Sequence, residues 1–348
     1  CVGVRTPRTA GRAMSLRQRK REAEAPPGET PSDKQKEGKA RPVDAILLYI
    51  CALSPAVCAA LILANLPKIL GSELGGAIVS KALGKAFRGG IPGAISALLQ
   101  IALLMWLRTT INFQYKHGMG MMSAMQVLWK EGGVGRFYRG WHVAAAQVPI
   151  SRFVDAAANA GMLELFEGST WMPVFMKTAT ASLAAGLFRA TLMPMDCIKT
   201  ELQVNGAKAM PGLRERLARE GPATFFRGTA AAMTATAVGH YPWFAVKNML
   251  DSWVAASGIP QDDALTELAV DAAVGFLASV ASDTATNSIR VIKTTVQTSE
   301  ENLGYVGAVQ NIVSKDGWFG LFFRGLGTKT LTSALNGVIF NVMMKRYR

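Results

Sequence analysis

Pro194-Met195-Asp196-Cys197-Ile198-Lys199, followed by Gln203, then by Glu220-Gly221 and Phe225-Phe226-Arg227-Gly228, is the stretch on which the reading of this chain turns. A proline at the head of an apolar helix breaks the backbone ladder there. The acid and the base that follow lie three residues apart, on one helix face. Outward from this stretch, the same pattern recurs on both sides. Upstream, Glu131-Gly132 leads to Phe137-Tyr138-Arg139-Gly140, and downstream Asp316-Gly317 leads to Phe322-Phe323-Arg324-Gly325. The Arg-Gly steps are 88 and 97 residues apart. Before them, the counterparts of the Pro194 segment are Met105-Trp106-Leu107-Arg108-Thr109-Thr110 with Gln114, and Ser288-Ile289-Arg290-Val291-Ile292-Lys293 with Gln297. The chain is a threefold repeat, and only its middle copy keeps the whole Pro-x-Asp-x-x-Lys pattern.

Composition bounds what such a repeat can be. The 348 residues are 50% hydrophobic and only 18% charged, where soluble domains carry nearer a quarter. A disordered chain and a small disulfide scaffold are excluded. The four cysteines (Cys1, Cys51, Cys58, Cys197) form no CxxC and no paired framework, so nothing calls for an oxidising compartment. His117, His142 and His240 are well separated, which argues against a zinc site. His117 beside Met119, Met121 and Met122 in a Gly-rich loop reads as flexible loop methionines rather than copper ligands. The net charge of +14 reflects 38 Lys+Arg against 24 Asp+Glu, but residues 1–42 hold eleven of those bases against five acids. What is left for the body is modest and carries no aromatic-basic surface pattern, so no nucleic-acid partner is expected. The tail itself, with five prolines and few large apolar residues, reads as a disordered basic tail or a transit segment, its first 21 residues being Arg-rich and acid-free.

The body reads as membrane helices. Residues 45–67 are uncharged throughout, between Asp44 and Lys68, long enough to span a bilayer, with a kinked span or a buried hairpin as the alternatives that Pro55 and Pro67 leave open. Further apolar, helix-like stretches cover about 89–113, 140–163, 176–202, 229–250, 268–296 and 326–345. Glycine and alanine are dense in them, and polar residues occur singly, which suits helices packed closely around a polar cavity. These readings predict an all-α membrane protein: a six-transmembrane-helix bundle of three tandem repeats with short connecting helices, plus an extra N-terminal hydrophobic helix. The expected organisation is 1–42 tail, 43–83 extra helix and linker, and repeats at 84–168, 169–262 and 263–348.

The pattern resembles the mitochondrial carrier family, over roughly residues 84–348. That resemblance implies that the Pro-x-acid-x-x-base segments form a matrix-side gate, each acid pairing with the base of the next repeat. Carried over, it leaves Asp196 facing Lys293, while Lys199 would face Leu107 and Arg290 would face Thr110. Asp196, Lys199 and Lys293 are therefore the gate candidates, with two of three cross-repeat pairs missing. On the other side only Lys247 and Asp251 offer a gate-like pair, reversed in sign. The resemblance also implies cardiolipin at the Arg-Gly steps, hence lipid candidates Arg139, Gly140, Arg227, Gly228, Arg324 and Gly325. Alternatively, each arginine ties to the acid of its own acid-Gly step.

For the cavity, the resemblance points to Gln100, Arg189 and Asp283 at one level, and to Gln147, Thr236 and Thr332 as contact positions, with His240 on the wall. A cation and an anion at one level suit a zwitterion; alternatively Arg189 and Asp283 pair with each other. Arg152, Asp155 and Asn159, spaced for one helix face, are expected either as a further cavity stripe or, alternatively, as part of an inter-helix pair. The contact positions are uncharged, so the resemblance implies a transporter of a small neutral or zwitterionic metabolite, working by alternating access in the mitochondrial inner membrane or, alternatively, the plastid envelope. The alternative function is a degenerate carrier serving as a structural or assembly subunit of a larger membrane complex. No phosphate loop, catalytic triad or paired-carboxylate motif stands out, so neither enzymatic activity nor a cofactor is expected.

Overall fold

The computed structural model describes residues 72–151, 180, 186, 188–258 and 263–346, all within one compact unit, Ile46–Arg348. The expected tail 1–42, the apolar stretch 45–67 and the stripe Arg152, Asp155 and Asn159 lie outside the described residues. Among the described residues there are helices and no strand. In chain order they are α1 (Ser72–His117), α2 (Met121–Phe137), α3 (Met193–Asn205), α4 (Ala209–Glu220), α5 (Thr229–Ala256), α6 (Ala264–Thr298), α7 (Tyr305–Phe323) and α8 (Leu326–Arg346). Between α2 and α3, residues 141–151 and 188–191 are also helical. α1, α5, α6 and α8 are the long helices and α2, α4 and α7 the shorter connecting ones, while α3, itself short, carries on from the helical residues 188–191 after a break at Leu192. α1 starts upstream of the expected repeat boundary at residue 84.

Local chemistry sets the breaks. Helix leads into Leu192, which closes a turn on Arg189 with its N–H 3.2 Å from that carbonyl. α3 then restarts with Pro194 in its first two positions, where the missing N–H costs nothing. The proline thus ends one helix and opens the next, so Asp196 sits in a first turn. The Arg-Gly steps open the next long helices: Gly140, Gly228 and Gly325 have φ of 82°, 77° and 65°. Each glycine abuts the long helix of the following repeat. A Cβ at Gly140 would meet Leu202, one at Gly228 would meet the Lys293 carbonyl, and one at Gly325 would meet Tyr115.

Those three approaches run repeat one to two, two to three and three to one. α8 packs on α1 as well as on α6, and α1 and α6 both pack on α3. The last described helix therefore meets the first described one, and the described helices close a ring. Apolar packing is distributed between short and long helices. One cluster joins Val143, Met195, Ile198, Leu213 and Phe225; a second joins Ile111, Val291, Ile312 and Leu321; a third joins Phe113, Leu128 and Phe137.

The distribution of polarity is inverted relative to a soluble bundle. Leu103, Trp141, Tyr241 and Met249 are all at least half exposed, whereas Gln147, Asp196, Thr286 and Asn287 are buried. Large apolar groups facing outward with polar groups inside suit hydrocarbon as the surrounding medium. Two described stretches, Ile95–His117 and Thr266–Thr298, are long and apolar enough to cross a membrane.

Candidate functional site

The ring encloses a polar cavity of about 450 Å³, within the range of small-molecule sites. Its wall carries six cations: Arg108, Arg189, Lys199, Arg290, Lys293 and Lys329. Asp196 is the carboxylate on the wall. A second, Asp283, is buried just behind it. A low-dielectric shell around such a charge imbalance focuses positive potential into the cavity.

Asp196 is the hub of the first cluster. Lys293, from α6, pairs with its Oδ2. Lys199, one turn along α3, lies 2.8 Å from Oδ1, Gln147 donates to the same oxygen at 3.0 Å, and Arg189 stands 3.9 Å away. Lys199 also donates to the Gln147 side-chain oxygen at 2.7 Å. The expected α3–α6 pair between Asp196 and Lys293 is present. Lys199 does not reach toward α1 and Leu107; with no acid there, it folds back onto Asp196.

Asp283 is the hub of the second cluster. Its Oδ2 accepts from Lys329 Nζ at 2.9 Å and from Ser333 Oγ at 2.5 Å, and its Oδ1 lies 3.2 Å from Arg290 Nη1. The alternative pairing of Arg189 with Asp283 is corrected here. Arg189 donates to Ser151 at 2.8 Å and faces Asp196, because Asp283 packs against α8 of its own repeat. Arg290 likewise takes Asp283 one face up its own helix rather than Thr110.

Of the substrate-site candidates, Arg189, Thr236, His240 and Thr332 line the cavity. Gln147 sits behind the wall on Asp196. Gln100 is buried and donates to Ser96 one turn away at 3.3 Å. Sequence reasoning missed Arg108 and Lys329 as wall residues. Lys329 carried a usable signal, a lone cation in an apolar helix. Lys247 and Asp251 pair at 2.5 Å, but both are well exposed.

Three arginines cap the long helices at the end that carries the short ones. Arg227 holds Glu220 through both carboxylate oxygens, at 2.6 and 2.5 Å, and donates to the Ser299 carbonyl at 3.0 Å. Arg324 holds Asp316 at 2.8 Å and the Tyr115 carbonyl at 3.3 Å. In the first repeat the corresponding residue is Arg136, not Arg139. It holds Glu131 at 2.7 Å and donates to the carbonyls of Gln203 and Val204, each at 2.8 Å. Burial lowers the Arg136 pKa, and Glu131 opposes that shift, so it remains a cation. Each guanidinium satisfies orphan carbonyls at the end of the next repeat's long helix. Arg216 does the same for Gln297 and Ser299 while pairing with buried Glu201. Arg227 and Arg324 are thus committed to their own acids and to backbone. That favours the acid-tie alternative for their side chains.

A helical repeat protein closed around a cationic cavity, with the acid-base pair Asp196–Lys293 bridging two successive repeats, is the class that fold and site define. The family model described as mitochondrial carrier protein matches residues 171–257 and 266–348, the second and third repeats. The chain belongs to the mitochondrial carrier family. It is 24% identical over 258 residues, 68% of this chain and 50% of the relative, to a calcium-dependent mitochondrial ATP-magnesium/phosphate carrier protein of Arabidopsis thaliana. It is also 24% identical over 253 residues, 68% of this chain and 52% of the relative, to a mitochondrial adenyl nucleotide antiporter of Mus musculus. The chain spans about half the length of these curated relatives.

Proposed function

We propose that this protein is a solute carrier of the mitochondrial inner membrane, moving a small anionic metabolite by alternating access through a six-helix bundle of three repeats. The observation that carries the reading is the cavity charge, six cations against two carboxylates. The neutral contact positions Gln147, Thr236 and Thr332 suggested a neutral or zwitterionic solute. The charge that folding gathers around them favours an anion instead, and the activities for which the two relatives are named agree with that choice.

In this reading an anion entering the cavity competes with Asp196 for Arg189, Lys199 and Lys293. The bridge from α3 to α6 loosens as those cations turn to the solute, so binding compensates for opening the gate. The two missing cross-repeat pairs make the closed state a shallow one. Cardiolipin is assigned to the grooves beside the Arg-Gly steps, one lined by Tyr138, Gly140 and Gly206 and another by Gly120, Phe323 and Gly325. There, helix-start N–H groups are available to a phosphate.

The reduced gate also favours a second reading, a carrier-derived subunit of a membrane complex. Reconstitution into cardiolipin-containing liposomes distinguishes the two. Exchange of labelled ATP or inorganic phosphate, abolished in Lys293→Gln, supports anion transport. Exchange of amino acids but not of anions refutes the anion assignment. No exchange of any solute, with the native protein migrating in a large complex, supports the subunit reading.

A further inference from the structure

The Asp283 cluster does not belong to the gate. The gate pair joins long helices of successive repeats, whereas Asp283, Arg290, Lys329 and Ser333 all lie on α6 and α8 of the third repeat. The carboxylate is 5% exposed, yet two of its three partners, Arg290 and Lys329, stand on the cavity wall. It reaches them from behind, through one oxygen each. Ser333 is buried too, and accepts from Lys329 at 2.9 Å while donating to Asp283 at 2.5 Å.

We infer that Asp283 is a resident counter-ion. It offsets one of the two positive charges of the Arg290–Lys329 subsite while the cavity is empty, and a solute anion takes over these two cations on binding. The inference rests on the anion-carrier reading and deepens it: Asp283 sets how strongly the cavity prefers multiply charged anions. Three features support exchange rather than permanent pairing. Arg290 meets Asp283 at 3.2 Å through Nη1 and is 31% exposed, so its fork still has donors to offer the cavity. Lys329 can swing on its flexible stem. Ser333 continues to donate to the carboxylate as the cations turn to the solute, which offsets part of the cost of loosening the pair.

The test is anion binding and exchange by the full chain in cardiolipin-containing liposomes, with inorganic phosphate and ATP as probes. Asp283→Asn keeps the shape and an oxygen acceptor for Lys329 but removes the charge. Apparent affinity should rise about tenfold for phosphate and by more for ATP, because the removed repulsion scales with the charge of the anion. Lys329→Gln should do the opposite, weakening ATP more than phosphate, and stays informative should Asp283→Asn fail to fold. Weaker or equal binding by a folded Asp283→Asn, or an equal change for both probes, overturns the inference while leaving anion transport intact. A wild-type protein that neither binds nor exchanges either anion overturns the anion-carrier reading and this inference with it.

Discussion

Removing the carboxylate at the centre of the Asp196 cluster should be far more damaging than removing any one of its cations. Asp196 is 1% exposed and faces Lys293, Lys199 and Arg189, with Gln147 as a further donor. Asp196→Asn leaves three cations in a buried space with no local carboxylate. Breaking a buried ion pair from one side typically costs about 3–5 kcal/mol. Lys293→Gln leaves the carboxylate with Lys199 at 2.8 Å and Gln147 at 3.0 Å, so only one charge-assisted bond is lost, about 1.5–3 kcal/mol. In the double variant, losing Lys293 relieves the repulsion that Asp196→Asn created. The two changes should therefore be strongly non-additive, with a coupling energy of about 2 kcal/mol. Thermal unfolding of detergent-solubilised protein reads this directly. Cys197 is buried beside the cluster, so with Cys1, Cys51 and Cys58 replaced by serine its labelling by a thiol-reactive dye reports opening of this region. Asp196→Asn should lower the midpoint by about 10 °C, at a few degrees per kcal/mol, and Lys293→Gln by roughly half that. Additive midpoints, or an Asp196→Asn protein that melts with the wild type, would refute the assignment of Asp196 as the hub.

Two further expectations follow from the same geometry. Arg136→Ala exposes the carbonyls of Gln203 and Val204 without its donors and should cost about 2–3 kcal/mol in a melting assay; a midpoint unchanged from wild type would remove the capping role from Arg136. Gly228→Ala must hold alanine at φ 77° with its Cβ 3.2 Å from the Lys293 carbonyl, a loss of at least about 1–2 kcal/mol, and a melting midpoint unchanged from wild type would show that this close approach is not maintained.

The threefold organisation is legible in the sequence, because a repeat is a property of spacing. Acid-Gly and Arg-Gly steps recur in register, and each copy builds the same local structure, in which a glycine takes a left-handed turn and an arginine meets the acid before it. The Asp196–Lys293 bridge is legible for the same reason, since both residues belong to equivalent segments of successive repeats. In the first repeat spacing points to Arg139, while Arg136 holds the acid. The interval between acid and base there accommodates Gly132-Gly133, with the left-handed turn at Gly133 (φ 58°), and spacing alone does not say which arginine then points inward.

What the sequence alone determined is the set of local instructions: helix, break at Pro194, turn at glycine, with the glycine turn repeated three times over. Which charges meet is set instead by how the helices pack. Asp283 takes Lys329 and Arg290 instead of Arg189 because α6 packs against α8, and that neighbour relation is written in no single helix. The same packing turns Arg108, Arg290 and Lys329 toward one cavity. Its net charge is a sum over helices distant in sequence, so contact positions read one repeat at a time look neutral where the assembled wall carries a positive excess.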